Sequence, residues 1–221
     1  MSQLAVFDLD HTLIAADSSE LWTQYLWDKG IITDSAFLDN DAQIMSDYHA
    51  GKLDMAAYMA SALEAISHAT TDEIDLWATH FVNDTIPALV YPAARQQLDS
   101  YQRQQVPIVI LSATSDFIVR AVGHYLGIEQ AFGIELAVEN KHYTGQLSGI
   151  TTFREGKVEK LTQWMQQQQL SPQHIDFYTD SANDLPLCHF ATEVFTVNAD
   201  LRLAQAAQRH GWHTLHWTLP R

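Results

Sequence analysis

The sequence is poor in several things, and each shortage excludes something. It holds one cysteine, Cys188, so no disulfide can form within the chain, and a reducing compartment is the expectation. Basic residues are scarce: 12 Lys and Arg stand against 27 Asp and Glu, for a formal net charge of −15. That balance argues against a nucleic-acid partner, which calls for a basic face, and against an anionic membrane surface. A small anionic substrate is still allowed, because a local site can hold positive charge against the overall field. No apolar run reaches the roughly 18 residues of a membrane span. The start, MSQLAVFDLD, has no basic leader segment, and carboxylates interrupt its apolar run early. The expectation is a cytoplasmic protein. Arginine is absent from residues 1 to 94.

What the chain does have is alternation. LAVFD (4–8), VPIVILSA (106–113), HIDFYTD (174–180) and EVFTVN (193–198) read as strands, with WHTLHW (212–217) as a last one. Runs apolar on both faces fit a parallel sheet covered by helices. Helical patterns fall between them over 92–105, 115–127, 154–170 and 199–211, with Pro92 in a first turn and Gly127 and Gly211 as stops. This predicts an α/β fold with a Rossmann-like, doubly wound parallel sheet. From residue 15 to 88 strand signals vanish. Helical stretches follow one another instead, over 18–30, 35–51, 55–67 and 70–86, with a capping box at Thr70 and Glu73. An all-helical cap over 15–88, inserted into a core of 1–14 and 89–221, is the expected domain plan. The stretch 136–152 reads as a β-hairpin.

The acids fall at strand ends. Asp8 and Asp10 close the first run, Ser112 the second, and Asp180 the third, with Asp184 four residues on. Ligands of open α/β sheets bind beyond the carboxyl ends of the strands, so these residues should converge. Several carboxylates in one crevice repel unless a cation joins them, and oxygen ligands beside a phosphate suit Mg2+. Asp8 can then attack phosphorus. If strand geometry persists, Asp10 points the same way and can serve as acid and then base. Ser112, with the N–H groups of a helix starting near Ser115, can hold phosphate oxygens, and Lys157 adds a positive point charge.

These residues resemble a known family. DLDHTL (8–13), LSAT (111–114), the lysine of EGKVEK and TDSANDLPL (179–187) are similar, in order, to the four motifs of the haloacid dehalogenase-like hydrolases, and most like the phosphoserine-phosphatase-like subfamily. The resemblance covers nearly the whole chain. It implies a Mg2+-dependent phosphatase that acts on a small phosphorylated metabolite through an aspartyl-phosphate. Asp8 is then the nucleophile and Asp10 the general acid/base. Ser112, Ala113 and Lys157 hold phosphate, and Asp8, Asp180 and the Asp10 main-chain carbonyl hold Mg2+. Thr12, Asn183 and Asp184 take supporting places.

Substrate is less constrained. Asp17 stands where phosphoserine phosphatases carry an acid, yet the same DSSE start makes it a helix cap. Trp22 is a second candidate for substrate contact, although packing rather than a substrate cage is the expected role of the cap tryptophans Trp22, Trp27 and Trp77. Laying 51–60 on the family's cap segment puts Ala60 where an arginine would grip the substrate carboxylate. A lysine such as Lys29 or Lys52 lacks that bidentate fork. An amine-bearing ester without a carboxylate, such as histidinol phosphate, therefore suits the chain better than phosphoserine. Phosphoserine hydrolysis, a phosphonatase or other phosphotransfer reaction, and a non-catalytic binding protein are the alternatives. The histidines 210, 213 and 216 scatter over both faces of a strand and do not suggest a metal site.

Overall fold

A computed structural model describes residues 2–34 and 55–220. The helix expected over 35–51 and the candidate Lys52 lie outside the described residues. Strand β1 (Gln3–Phe7) leads into helix α1 (Ser18–Asp28). Helices α2 (Met55–Glu64), α3 (Thr71–Thr85) and α4 (Pro92–Arg103) precede β2 (Ile108–Ser115) and α5 (Asp116–Leu126). Then come β3 (Gln130–Ile134), β4 (Leu136–Glu139), β5 (His142–Leu147), α6 (Glu155–Gln167) and β6 (His174–Thr179). The chain ends with α7 (Leu185–Phe190), β7 (Glu193–Val197), α8 (Leu201–His210) and β8 (His213–Leu215).

Six strands form one sheet in the order β3-β2-β1-β6-β7-β8, every neighbouring pair parallel. The chain winds outward from β1 in one direction and from β6 in the other. The seam between them is the topological switch point, where open α/β sheets bind ligands. The Rossmann-like reading therefore holds. The expected hairpin is present as the antiparallel pair β4–β5. β3 is a strand that apolar patterning does not reveal.

The two-residue period of the strands sorts side chains to two cores. Ala5 and Phe7 of β1 join Ile110 of β2 on one face, under α1, α4 and α5. Leu4 and Val6 join Val109, Leu111 and Phe177 on the other, under α6, α7 and α8. The helical stretch shares the first of these cores: Met59, Ile74 and Phe81 are buried in it beside Phe117 and Ile118. Its α3 opens with the expected capping box at Thr70 and Glu73. Gly127 and Gly211 stop α5 and α8 in the left-handed conformation, where a glycine carries no Cβ penalty.

Candidate active site

The carboxyl ends of β1, β2 and β6 open into a cavity of about 420 Å³. Asp8, Asp10, Asp17, Ser112, Ala113, Lys157, Asp180, Asn183 and Asp184 all line it. Sequence positions more than 170 residues apart thus meet because parallel strands deliver their ends to one edge.

Asp8 follows β1 directly, and its N–H donates to the Tyr178 carbonyl at 2.9 Å. The chain then turns sharply at His11, with φ 54°, and swings Asp10 back. Each Asp10 oxygen is held: Oδ1 accepts from the Ser18 N–H at 2.8 Å, and Oδ2 from Thr114 Oγ1 at 2.7 Å and Ser112 Oγ at 3.3 Å. Thr12 is fully buried and donates to Asp180 Oδ1 at 3.4 Å.

Lys157 sits in the first turn of α6 and is buried. Its Nζ donates to Asp8 Oδ1 at 2.8 Å and reaches Asp184 at 2.7 Å. Gly156 makes this depth possible: a Cβ there would lie 1.8 Å from the Thr151 carbonyl oxygen. Lys160, its rival in sequence, instead pairs with Glu135. Asp184 is further fixed by Thr179 Oγ1 at 2.7 Å. The Ser181 hydroxyl accepts from the Asn183 N–H at 3.2 Å, which sets the turn after β6.

The electrostatics show a shortage of positive charge. Burial pushes Asp8 up to about 7, with Asp184 and Asp10 adding to the rise and Lys157 opposing it. Asp180 is raised well above the ordinary carboxylate value by burial, then by Asp8 and Asp184. Burial alone would lower Lys157, but Asp184 and Asp8 hold it above its usual value. One ammonium cannot neutralise four neighbouring acids. A divalent ion would supply what is missing, and an all-oxygen donor set fits Mg2+. Among the described residues these acids do not pack as three mutually close side-chain ligands. The expected set asks only for Asp8, Asp180 and one main-chain carbonyl.

The helix after Ser112 starts as expected, with Ser115 at the N-cap position and α5 beginning at Asp116, but β2 runs on to Ser115 rather than ending at Ala113, with a register shift after Leu111. Ser112 therefore sits inside an irregular strand end just before that helix, and the Thr114 N–H folds back onto its hydroxyl at 3.2 Å. Trp22 does not line the cavity. It is buried against Tyr25, Phe81 and Phe117, because α1 turns that side into the core. Tyr58 and Phe153 are aromatic residues that do line the cavity, while Ala60 lies beside Gly145 instead.

Asp17 keeps both of its readings in view. Its Oδ1 caps α1, accepting from the N–H groups of Ser19 at 2.8 Å and Glu20 at 3.1 Å, and it also lines the cavity. Burial, then Asp10, pushes its carboxyl up to about 8. Cys188 is buried, as a small hydrophobe would be.

Thr114, Asp200 and Arg202 are among the cavity residues that escaped the sequence reading. Thr114 lies within LSAT, and its spacing from Asp10 carries no signal. Asp200 accepts from the Ala182 N–H at 2.6 Å and caps α8 at Leu203. Arg202, exposed in the first turn of α8, brings to the cavity wall a guanidinium that the first 94 residues lack.

Comparison with known proteins agrees with this geometry. The sequence profile of the haloacid dehalogenase-like hydrolases matches residues 5–189. A histidinol-phosphatase of Neisseria meningitidis serogroup C is 32% identical, over 98% of this chain and all of its own length. A crystal structure of a Bordetella pertussis Tohama I protein of unknown function superposes with a TM-score of 0.90 at 27% identity, covering 97% of this chain and 98% of that one. A phosphoserine phosphatase captured as a phospho-aspartyl intermediate analogue shares the fold, with a TM-score of 0.69 at 16% identity over 97% of this chain and 93% of its own. By sequence profile over residues 5–189 and by a full-length relative at 32% identity, the chain belongs to the haloacid dehalogenase-like hydrolase family.

Proposed function

We propose that this hydrolase of phosphoric monoesters works through Asp8 as nucleophile, with Mg2+, on a small phosphate ester carrying a cationic group, histidinol phosphate being the foremost case. The observation that carries the reading is the placement of Asp8 with Lys157 on one of its oxygens. Lys157 holds Oδ1 and leaves Oδ2 to attack phosphorus.

As the P–O ester bond breaks, Asp10 gives its proton to the departing oxygen. Asp10 then takes a proton from a water, whose oxygen displaces the phosphoryl group from Asp8 and regenerates the free carboxylate. The hydrogen bonds on Asp10 from Ser18, Thr114 and Ser112 keep it aimed through both steps. Lys157 and the Ser112 hydroxyl neutralise and orient the phosphoryl oxygens. Asp8, Asp180 and the Asp10 carbonyl would hold Mg2+, and Asn183 and Asp184 steady that side of the pocket. Bound there, the ion supplies charge neutralisation for the acids and the phosphoryl group.

The segment 15–88, whose described helices are α1, α2 and α3, is assigned the part of a cap that covers the substrate and keeps bulk water out. Asp17 faces the cavity with a carboxyl that a substrate ammonium or imidazolium would return to its charged form. The full-length histidinol-phosphatase relative supports the same choice. Arg202 favours a second reading, an ester bearing a carboxylate such as phosphoserine, because its fork suits that group. The deciding measurement is kcat/KM for histidinol phosphate against phosphoserine. A preference for histidinol phosphate is expected. A clear preference for phosphoserine that disappears in Arg202→Ala replaces it with the second reading.

A further inference from the structure

At the opposite end of the sheet from the cavity, three ligand-type side chains gather at the amino ends of β6 and β7. His174 and Asp176 are two apart on β6 and so share a face. Glu193 opens β7 and pairs in register with Asp176, which puts it on that face too. One ligand atom from each lies within 4.8 Å of the others. His174 Nε2 stands 2.9 Å from Asp176 Oδ1 and 3.9 Å from Glu193 Oε1.

The second observation is the state of Asp176. Its side chain is buried, and its two oxygens live differently. Oδ2 accepts from Tyr101 Oη at 2.5 Å and Gln3 Nε2 at 2.7 Å. Oδ1 is also buried, yet among the described residues no donor meets it in hydrogen-bond geometry. It faces the His174 ring nitrogen at 2.9 Å, an ion pair only when that ring is protonated. Two lone-pair atoms at this separation are what a shared cation joins. Metal–ligand bonds of about 2.0–2.2 Å set neighbouring donors roughly 3 Å apart.

We infer that His174, Asp176 and Glu193 form a second divalent-metal site, separate from the catalytic cavity. An imidazole nitrogen beside two carboxylates selects zinc and its first-row neighbours over magnesium or calcium, which favour oxygen-only sets. Tyr101 and Gln3 act as the outer partners that aim Asp176: by occupying Oδ2 they leave Oδ1 as a single, directed ligand. Water fills the remaining positions on the solvent side, where Glu193 is exposed. Bound there, the ion ties β6 to β7 and stabilises the fold by mass action. The site does not depend on the proposed reaction.

Titrating Zn2+ calorimetrically into the full-length protein in excess Mg2+ tests this, with Asp180→Asn run in parallel to remove a catalytic carboxylate. One equivalent of Zn2+ is expected in both proteins. His174→Ala and Glu193→Gln, at partly exposed positions that spare the buried Asp176, should each weaken that equivalent by more than about tenfold. Both variants should keep Mg2+-supported hydrolysis of p-nitrophenyl phosphate, which shows that they fold. The melting temperature of the unaltered protein should rise with Zn2+, and that of His174→Ala should not. Zn2+ binding unchanged in both variants, binding lost only in Asp180→Asn, or no binding at all would overturn the inference and leave a plain imidazole–carboxylate contact.

Discussion

The two ends of strand β6 handle buried acid in opposite ways. At its carboxyl end, Asp180 enters a cavity where Asp8 and Asp184 already share one lysine and Asp10 lies beside them. At its amino end, Asp176 has one oxygen satisfied by a phenol and an amide. The first arrangement leaves charge under-compensated, a state that folding alone would not favour. The second is nearly closed by neutral donors. A fold departs from local satisfaction where a ligand is to complete it, so the size of the imbalance ranks the two ends by function.

Breaking the catalytic end should have the largest effect. Asp8→Asn keeps the shape and removes the attacking oxygen, so turnover of p-nitrophenyl phosphate with Mg2+ should fall by at least about 10⁴-fold. Circular dichroism should stay that of the native fold. A residual rate within tenfold of the original would take the nucleophile role away from Asp8. Next in size is Lys157→Met, which strands Asp8 and Asp184 as buried acids with no counter-charge. A loss of about 3–5 kcal/mol in urea unfolding is expected, together with loss of turnover. A loss below about 1 kcal/mol would mean that water reaches these acids and that the contrast between the two ends is overstated.

The amino end should respond differently. Tyr101→Phe removes the hydroxyl that donates to Asp176 and contacts Tyr178 Oη at 2.9 Å. Unfolding should become easier by about 1–3 kcal/mol, while kcat and KM stay within about twofold. A large fall in kcat with stability intact would join the two ends into one functional unit.

Much of this was legible in the sequence, for physical reasons that also mark the limit. β1, β2 and β6 announce themselves because central parallel strands are apolar on both faces, and their ends locate Asp8, Ser112 and Asp180 without further help. β3 does not, since QAFGI carries a glutamine and a glycine in five residues. The end of β2 was misjudged because its irregularity is set by pairing with β3, which propensity cannot see. Packing was the expected role of the cap tryptophans, and Trp22 packs against Phe81 and Phe117. Arg202 and Thr114 reach the cavity through the packing of α8 and β2, so neither position stands out in the chain. His174 and Asp176 look like strand alternation until β7 sets Glu193 beside them.

The smallest effect expected concerns Asp17, and its sign separates capping from charge. In the folded, metal-free protein this carboxyl is pushed up to about 8, against an unfolded value near 4. The folded state therefore holds the proton more tightly. The contribution to stability is fully present below about pH 4 and is lost as the pH rises through about 8. Asp17→Asn keeps an oxygen that can accept from the Ser19 and Glu20 N–H groups, so the cap of α1 survives, but it carries no charge to desolvate. Asp17 is only partly buried, so solvent screening discounts most of that contribution: measured by urea unfolding in EDTA, the variant should match the original protein near pH 4 and exceed it by about 1 kcal/mol at pH 8. Were Asp17 only a cap, its ionised form would be the better acceptor at the helix start, and the variant would be the less stable protein at pH 8. The direction of that difference decides whether Asp17 belongs with the under-compensated acids of the cavity or with the locally satisfied groups elsewhere in the fold.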